Sequence, residues 1–326
     1  MSVSASAVAE LRKATGAGLM DCKKALQESN GDYEGALDYL RKKGQKVAAK
    51  RADRDAKEGV VVTCIDASGK VGVLMALSCE TDFVAKNEGF VELANQIAKL
   101  ALDAGAQTAE EVANLAMADG VSVADKLVEN TGKIGEKIEV SSFYRVEGDN
   151  LASYIHAGAK IGVIVCYKDG GKADASQFFR SVAMHVAAMN PSILNYTEFD
   201  ADLVAKETEA KQSQIRVENE DRERLGKPLL TVPQYVSRMQ LTPDVIAATE
   251  AKIKEELKAE GKPEKIWDRI LPGKMERFVA DNTLLDQERC LLNQFFALDD
   301  SKTVDAAVKG FAEGAEIVCF RRVAVG

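Results

Sequence analysis

The spacing of apolar positions changes along this chain, and each change predicts a different kind of element. Over the first 43 residues the spacing is helical and comes in short pieces. Val8 and Leu11 mark the apolar side of a first helix, which stops at Thr15-Gly16-Ala17-Gly18. Leu19, Met20, Ala25 and Leu26 mark a second, ending near Asn30-Gly31. Asp32 is suited to cap a third, in which Tyr33, Ala36, Leu37 and Leu40 fall at i, i+3, i+4 and i+7. Helices this short hold together only by packing on one another, so a compact three-helix module is expected. Gly16-Ala17-Gly18 has the look of a phosphate loop, but a helix rather than a strand precedes it, which favours a tight interhelical turn.

Beyond the module the pattern turns to strands. Gly59 to Asp66 is rich in Val and Ile, Ala67-Ser68-Gly69 supplies a turn, and Val71 to Ser78 reads as the hairpin partner. A helix follows with Phe90, Leu93, Ala94, Ile97 and Ala101 on one face. Then come a helical stretch, Glu110 to Asn130, and a strand, Ile138 to Val146. The pattern then repeats. Lys70-Val71-Gly72-Val73-Leu74 matches Lys160-Ile161-Gly162-Val163-Ile164, and the helix of Phe90 and Leu93 parallels one with Phe179 and Val182. The offset is 90 residues at the strands and 89 at the helices, so both elements keep register. Two related subdomains follow, each a helix covering an antiparallel sheet, with Ile317 to Val323 completing the second.

Residues 199 to 266 break this pattern. They are highly charged, with scattered apolar positions, and Thr208-Glu209-Ala210-Lys211 recurs as Thr249-Glu250-Ala251-Lys252. A projecting helical hairpin with a partly duplicated segment is one reading, and a flexible acidic insertion is the other. The fold class expected is α+β. The organisation expected is a three-helix module over 1–45, a basic linker over 46–58, core subdomain 1 over 59–140, core subdomain 2 over 141–198 and 267–326, and a hairpin over 199–266.

Charge and chemistry narrow the function classes. The net charge of −8 suits general binding of phosphate backbones poorly, and no direct nucleic-acid binding is expected. Arg41 to Lys57 is a local exception with eight Lys or Arg against two Asp. It lacks interleaved aromatics and reads as a solvated helix or linker. The six cysteines have no C-x-x-C spacing, which favours reduced thiols. With only His156 and His185 besides, no metal or other cofactor is expected. No apolar run is long enough to span a membrane, and the first residues lack a leader's charged and apolar regions, so a cytoplasmic location is expected. An enzyme would have to rest on carboxylates near Glu80 and Asp82, which no His, Cys or metal constellation supports.

Several segments, in order, resemble the elongation factor Ts family: LRKATGAGLMDCKKAL at 11–26, ETDFVAKN at 80–87, SYIHAGAKIGVI at 153–164, AMHVAAMNP at 183–191 and GKMERF at 273–278. The resemblance implies a non-enzymatic guanine nucleotide exchange factor for elongation factor Tu, bound to its GDP and nucleotide-free forms. It also implies a ubiquitin-associated-like N-terminal module, two related core subdomains and a coiled-coil hairpin, of which GKMERF is the return. Two departures stand out. About 40 residues near Val204 to Asp244 look inserted, and no counterpart of the C-terminal helical module of some members follows Gly326.

In the family the Thr-Asp-Phe-Val element enters the GTPase beside the nucleotide-associated magnesium, and Thr81, Asp82, Phe83 and Val84 match it. The residues alone favour another reading for Phe83, an apolar ring filling local core at a strand-to-helix junction. His156 matches a family histidine that touches the GTPase away from the nucleotide, and reads equally as a surface polar residue. Arg12, Leu19 and Met20 match N-terminal contact positions, although Leu19 and Met20 read equally as core of the small bundle. His185, among Val182, Val186 and Met189, reads as a core histidine. A ubiquitin-like or peptide adaptor would suit the three-helix module but leaves ETDFVAKN and the repeat unexplained.

Overall fold

Three capped helices open the chain: α1 (Ala5–Thr15), α2 (Leu19–Glu28) and α3 (Tyr33–Arg51). The Ser4 and Asp32 side chains accept from the backbone N–H groups of Ala7 and Gly35, and Gly16 closes α1 in the left-handed region at φ 67°. Val8, Leu11, Ala17, Cys22, Ala25, Leu26 and Ala36 form the bundle core. The structure, a computed structural model, describes residues 3–326, which pack as two units. One runs through Ala187 and includes Gly314–Gly326, and the other is Ala188–Glu313.

α3 continues to Arg51, so the basic stretch is largely helix rather than the linker expected from residue 46. Its charges are mostly matched. Arg41 pairs with Asp125 (3.2 Å), Lys42 with Asp38 (2.7 Å), Lys43 with Asp21, Arg51 with Glu80 (2.6 Å) and Lys57 with Asp55 (3.3 Å).

In the first sheet β1 (Glu58–Ile65), β2 (Val71–Cys79) and β3 (Glu139–Glu147) are antiparallel with β2 central. Between β2 and β3 lie α4 (Asp82–Ala85), α5 (Glu88–Ala104), α6 (Ala109–Asn114) and α7 (Val123–Ile134). The helical stretch expected over Glu110 to Asn130 is thus divided between two helices. Gly120 turns the chain at φ 80°, and Ser122 starts α7 by accepting from the Asp125 N–H. β3 hydrogen-bonds to β2 along its length, so the subdomain boundary expected at 140/141 cuts a strand that belongs whole to the first sheet.

The second sheet, from β4 (Asn150–Ile155), β5 (Ile161–Asp169) and β8 (Ala315–Ala324), has β5 in the middle. The repeated segments thus hold equivalent places, as central strands β2 and β5 and as helices α5 and α8 (Ala175–Met189). α5 covers one face of the first sheet through Phe90, Leu93, Ala94 and Ile97. The other face meets the second sheet through Val61, Leu74, Ala76, Val146, Leu151, Ile164, Cys166 and Val323. Burial on both faces explains why β2 is a continuous apolar run rather than an alternating one. It also explains the repeated glycines. A Cβ on Gly72 would lie 3.0 Å from Leu151 Cδ1, and one on Gly162 would lie 2.5 Å from Val61 Cγ1. On α8, Phe179 stacks on Tyr167 at 3.8 Å, and His185 is buried as expected.

The other unit holds α9 (Ala201–Arg224), α10 (Pro243–Ala259), α11 (Trp267–Asp281), α12 (Leu284–Arg289), strands β6 (Phe295–Phe296) and β7 (Asp299–Thr303), and α13 (Val304–Phe311). A helical hairpin is present and pairs α10 with α11; its return arm holds the GKMERF segment at 273–278, and so lies outside the 199–266 range expected for the hairpin. Lys274 reaches Glu260 (3.4 Å), and the Trp267 indole N–H donates to the Lys262 carbonyl (3.0 Å). α9 is not an arm of it. Its Asn219 and Gln212 side chains bind the returning segment at Leu230 and Pro233, while Glu207 and Lys211 pair with Arg289 (2.7 Å) and Glu288 (2.5 Å). Residues 188–198 and 267–313, expected in core subdomain 2, belong to this second unit.

The segment that looks inserted is built into the unit. Val204 and Val236 share a small core with Phe199, Leu285 and Cys290. The Asn282 side-chain oxygen accepts from the Gln234 and Tyr235 N–H groups (both 3.0 Å), and Asp286 accepts from the Arg238 N–H (2.7 Å). Asp286 is fully buried and its second oxygen has no partner among the described residues, and desolvation raises its carboxyl above the ordinary range.

Candidate functional site

The ETDFVAKN segment bridges β2 and α5. Its first part is held by long-range hydrogen bonds. The Glu136 carboxylate accepts from the Glu80 N–H (3.1 Å), the Thr81 N–H (3.0 Å) and the Thr81 hydroxyl (2.7 Å). Glu80 in turn accepts from the Lys137 N–H (2.7 Å) and the Arg51 guanidinium (2.6 Å). The Lys137 N–H, aided by Arg51, holds the Glu80 carboxyl below the usual carboxylate range. The Cys79 thiol faces the Thr81 carbonyl at 3.2 Å, and burial pushes it up to about 11, so it packs beneath the segment as a neutral thiol. Asn87 closes the segment by accepting from the Gly89 N–H as the cap of α5.

On this mount the four residues of α4 divide. Ala85 is buried and Val84 packs against the cluster under α5. Phe83 points the other way and is 83% exposed, more than any other large apolar side chain among the described residues. The local-core reading of Phe83 does not hold. Burying such a ring is worth about 2 kcal/mol or more, and the fold forgoes that gain here while bracing the backbone on both sides. Asp82 makes an ion pair with Lys86 (2.7 Å) one turn on, and that contact keeps its carboxyl below the usual range.

The remaining candidates lie in the same unit. Arg12 is exposed near the end of α1, and Leu19 (53% exposed) and Met20 (71%) begin α2 across the Gly16 turn. Neither Leu19 nor Met20 is bundle core. The Gly16 turn abuts Lys133, and Glu136, which anchors Thr81, follows three residues later. The N-terminal turn and the Phe83 mount are therefore both tied to the C-terminal end of α7, where Ile134 is a further exposed apolar residue (41%). α3 crosses α7 where Gly44 meets Gly132, and a Cβ on Gly132 would lie 2.7 Å from the Gly44 Cα. His156 is exposed at the turn after β4, and its Nδ1 lies 3.2 Å from the Tyr154 hydroxyl. That turn and α4 both touch β1, where Lys160 pairs with Glu58 (2.8 Å).

Sequence reasoning missed Arg51, Glu136 and Ile134. The charge and exposure of these residues gain meaning only from elements distant in sequence. Among the described residues, no group of three or more His, Cys, Asp or Glu is placed to hold a metal ion, and no helix is long and apolar enough to cross a membrane. What the arrangement offers is a braced apolar projection flanked by charge, which suits insertion into a protein partner.

Comparison with known proteins agrees with the resemblance in the motifs. The family model described as Elongation factor TS matches residues 80–229 and 230–326. Elongation factor Ts of Rhodopirellula baltica is 66% identical over 325 residues, covering 99% of each chain. Its counterpart in Flavobacterium johnsoniae is 47% identical over 324 residues, again 99% of each. That of Wolinella succinogenes is 43% identical, over 99% of this chain and 94% of its own. The first two alignments span the Val204 to Asp244 segment, so that segment is not peculiar to this chain, although the family model breaks within it at 229/230. Matched in sequence from end to end, the chain belongs to the elongation factor Ts family.

Proposed function

We propose that this chain is a guanine nucleotide exchange factor for elongation factor Tu in translation elongation, and that it acts by inserting Phe83 beside the nucleotide site. The single observation that carries the reading is the exposed ring on a braced backbone. Family membership supports elongation factor Tu as the partner. An exposed aromatic that is already oriented loses little conformational freedom on binding, and such rings are typical anchors of protein interfaces. Seated between partner helices, Phe83 shifts them, and Asp82 competes for polar contacts around the wedge. Thr81 and Val84 hold the wedge in place. The shift disturbs magnesium ligation and the phosphate contacts, and GDP leaves. Arg12, Leu19, Met20 and His156 add contacts that hold the partner in register. No covalent bond is made or broken.

Such exchange is a coupling between two ligands of the GTPase, and coupling is reciprocal: a factor that weakens GDP is itself weakened by GDP. The complex with nucleotide-free elongation factor Tu should therefore be stable and should dissociate with excess GDP and magnesium. Isothermal titration with and without nucleotide checks this. An affinity unchanged by saturating GDP and magnesium rules out the exchange reading.

The brace has its own test. Glu136→Ala leaves two backbone N–H groups and a hydroxyl without their acceptor. Each such loss costs about 1–3 kcal/mol where water does not substitute. We expect catalysed GDP release to fall about tenfold, equivalent to about 1.4 kcal/mol, with Phe83 intact. Parental exchange by a folded Glu136→Ala variant would show that the brace is irrelevant.

A further inference from the structure

Cys166 and Cys319 stand directly opposite each other where β5 pairs with β8. Opposed residues of an antiparallel pair have Cα atoms about 4.5 or 5.5 Å apart, and both values lie within the span of about 4.4–6.8 Å that a disulfide bridges. The two side chains share a face, each packing against the cluster between the sheets. The register slips immediately beyond the pair, between Cys166 and Tyr167, so regular pairing is interrupted beside the sulfurs.

Their surroundings differ in a useful way. Cys166 is 1% exposed, with its sulfur against Gly148, where a Cβ would lie 2.1 Å away. Burial, and next the electrostatic influence of neighbouring Cys319, push the Cys166 thiol up to about 11. Cys319 is only partly buried, the more exposed of the two. Cys22, Cys79 and Cys290 are buried, and Cys64 faces Val73 in its ladder rather than another cysteine.

We propose that Cys166 and Cys319 are an oxidative modification site, in which a hydroperoxide oxidises Cys319 and Cys166 resolves it to a cross-strand disulfide. The Cys319 thiolate attacks a peroxide oxygen, the O–O bond breaks, and Cys319 becomes a sulfenic acid as hydroxide leaves and takes up the thiol proton. The Cys166 sulfur then attacks the Cys319 sulfur. The S–S bond forms, and the sulfenic hydroxyl leaves as water with the Cys166 proton. With hydrogen peroxide the sum is two thiols and one peroxide giving one disulfide and two waters, a two-electron oxidation of sulfur matched by a two-electron reduction of peroxide. The bond fastens β8 covalently to the central strand of its sheet. β8 also carries the chain to Gly326, where Val325 and Gly326 donate to the Lys160 and Lys57 carbonyls (2.9 and 2.7 Å).

The test treats the reduced full chain with hydrogen peroxide, alkylates the remaining thiols and maps the tryptic peptides without reductant. Residues 161–168 and 310–321 should appear as one cross-linked species, two hydrogens lighter than their sum, that dithiothreitol separates. In Cys166→Ala, Cys319 should accumulate as a sulfenic acid trapped by dimedone. In Cys319→Ser, Cys166 should remain a free thiol at the same peroxide dose. The proposal is overturned if the wild-type chain keeps both thiols alkylatable, links either to another cysteine, or carries Cys319 to the sulfinic acid with Cys166 still free. The wild-type map decides the matter even if a variant fails to fold.

Discussion

Phe83→Ala is expected to slow catalysed GDP release from elongation factor Tu by about thirtyfold or more and to leave the melting temperature almost unchanged. Truncating an interface hot spot typically costs at least about 2 kcal/mol of binding, which is about thirtyfold in rate if the wedge acts in the transition state. The ring is 83% exposed, so its removal opens no cavity in the free protein. A core Phe would instead cost about 3–5 kcal/mol of folding stability. Two assays on one variant, thermal unfolding and GDP release, therefore separate the two roles. Asp82→Ala should show a smaller exchange defect, because water replaces part of a polar rim contact. A Phe83→Ala chain that melts early yet exchanges at the parental rate while folded would end the wedge account.

Replacing residues 204–244 with a short Gly/Ser linker should separate stability from activity. The variant loses Val204 and Val236 from the small core, which uncovers Leu285 and Cys290. It also removes the N–H groups that satisfy Asn282 and Asp286. Deleting core side chains costs about 2–5 kcal/mol, and each buried polar group left unpaired adds about 1–3 kcal/mol. A loss of at least about 4 kcal/mol is expected in the unit of residues 188–313, seen as an early melting transition. Phe83 and its brace belong to the other unit. GDP release should stay within about tenfold of the parent, or about 1.4 kcal/mol. Abolished exchange with the Phe83 unit still folded would show the segment to be essential.

Local periodicity carried a good deal of this structure. The stripe of Phe90, Leu93, Ala94 and Ile97 specifies α5, and the repeated Lys-Val-Gly-Val and Lys-Ile-Gly-Val segments mark the two central strands. The glycines within them have a steric reason that appears only once the sheets are stacked. The break between α6 and α7 was also written in the chain, in Asp119-Gly120 and the Ser122 cap, but the apolar spacing ran over it. Period alone could not orient Phe83. In a four-residue helix, direction is set by what anchors the ends, and the anchor, Glu136, lies 55 residues from Thr81. The same limit applies to α9, whose partners are the returning chain and α12, and to the pairing of Cys166 with Cys319 across the whole second unit.

The most direct measurement is stopped-flow release of fluorescent GDP from purified elongation factor Tu in magnesium buffer, with the chain added at increasing concentration. An exchange factor lowers the release barrier, and each tenfold acceleration corresponds to about 1.4 kcal/mol. The account predicts a release rate that rises with the concentration of the chain, by well over tenfold at saturation, and that the Phe83→Ala chain does not match. A rate that stays at its spontaneous value while the chain is bound would contradict it.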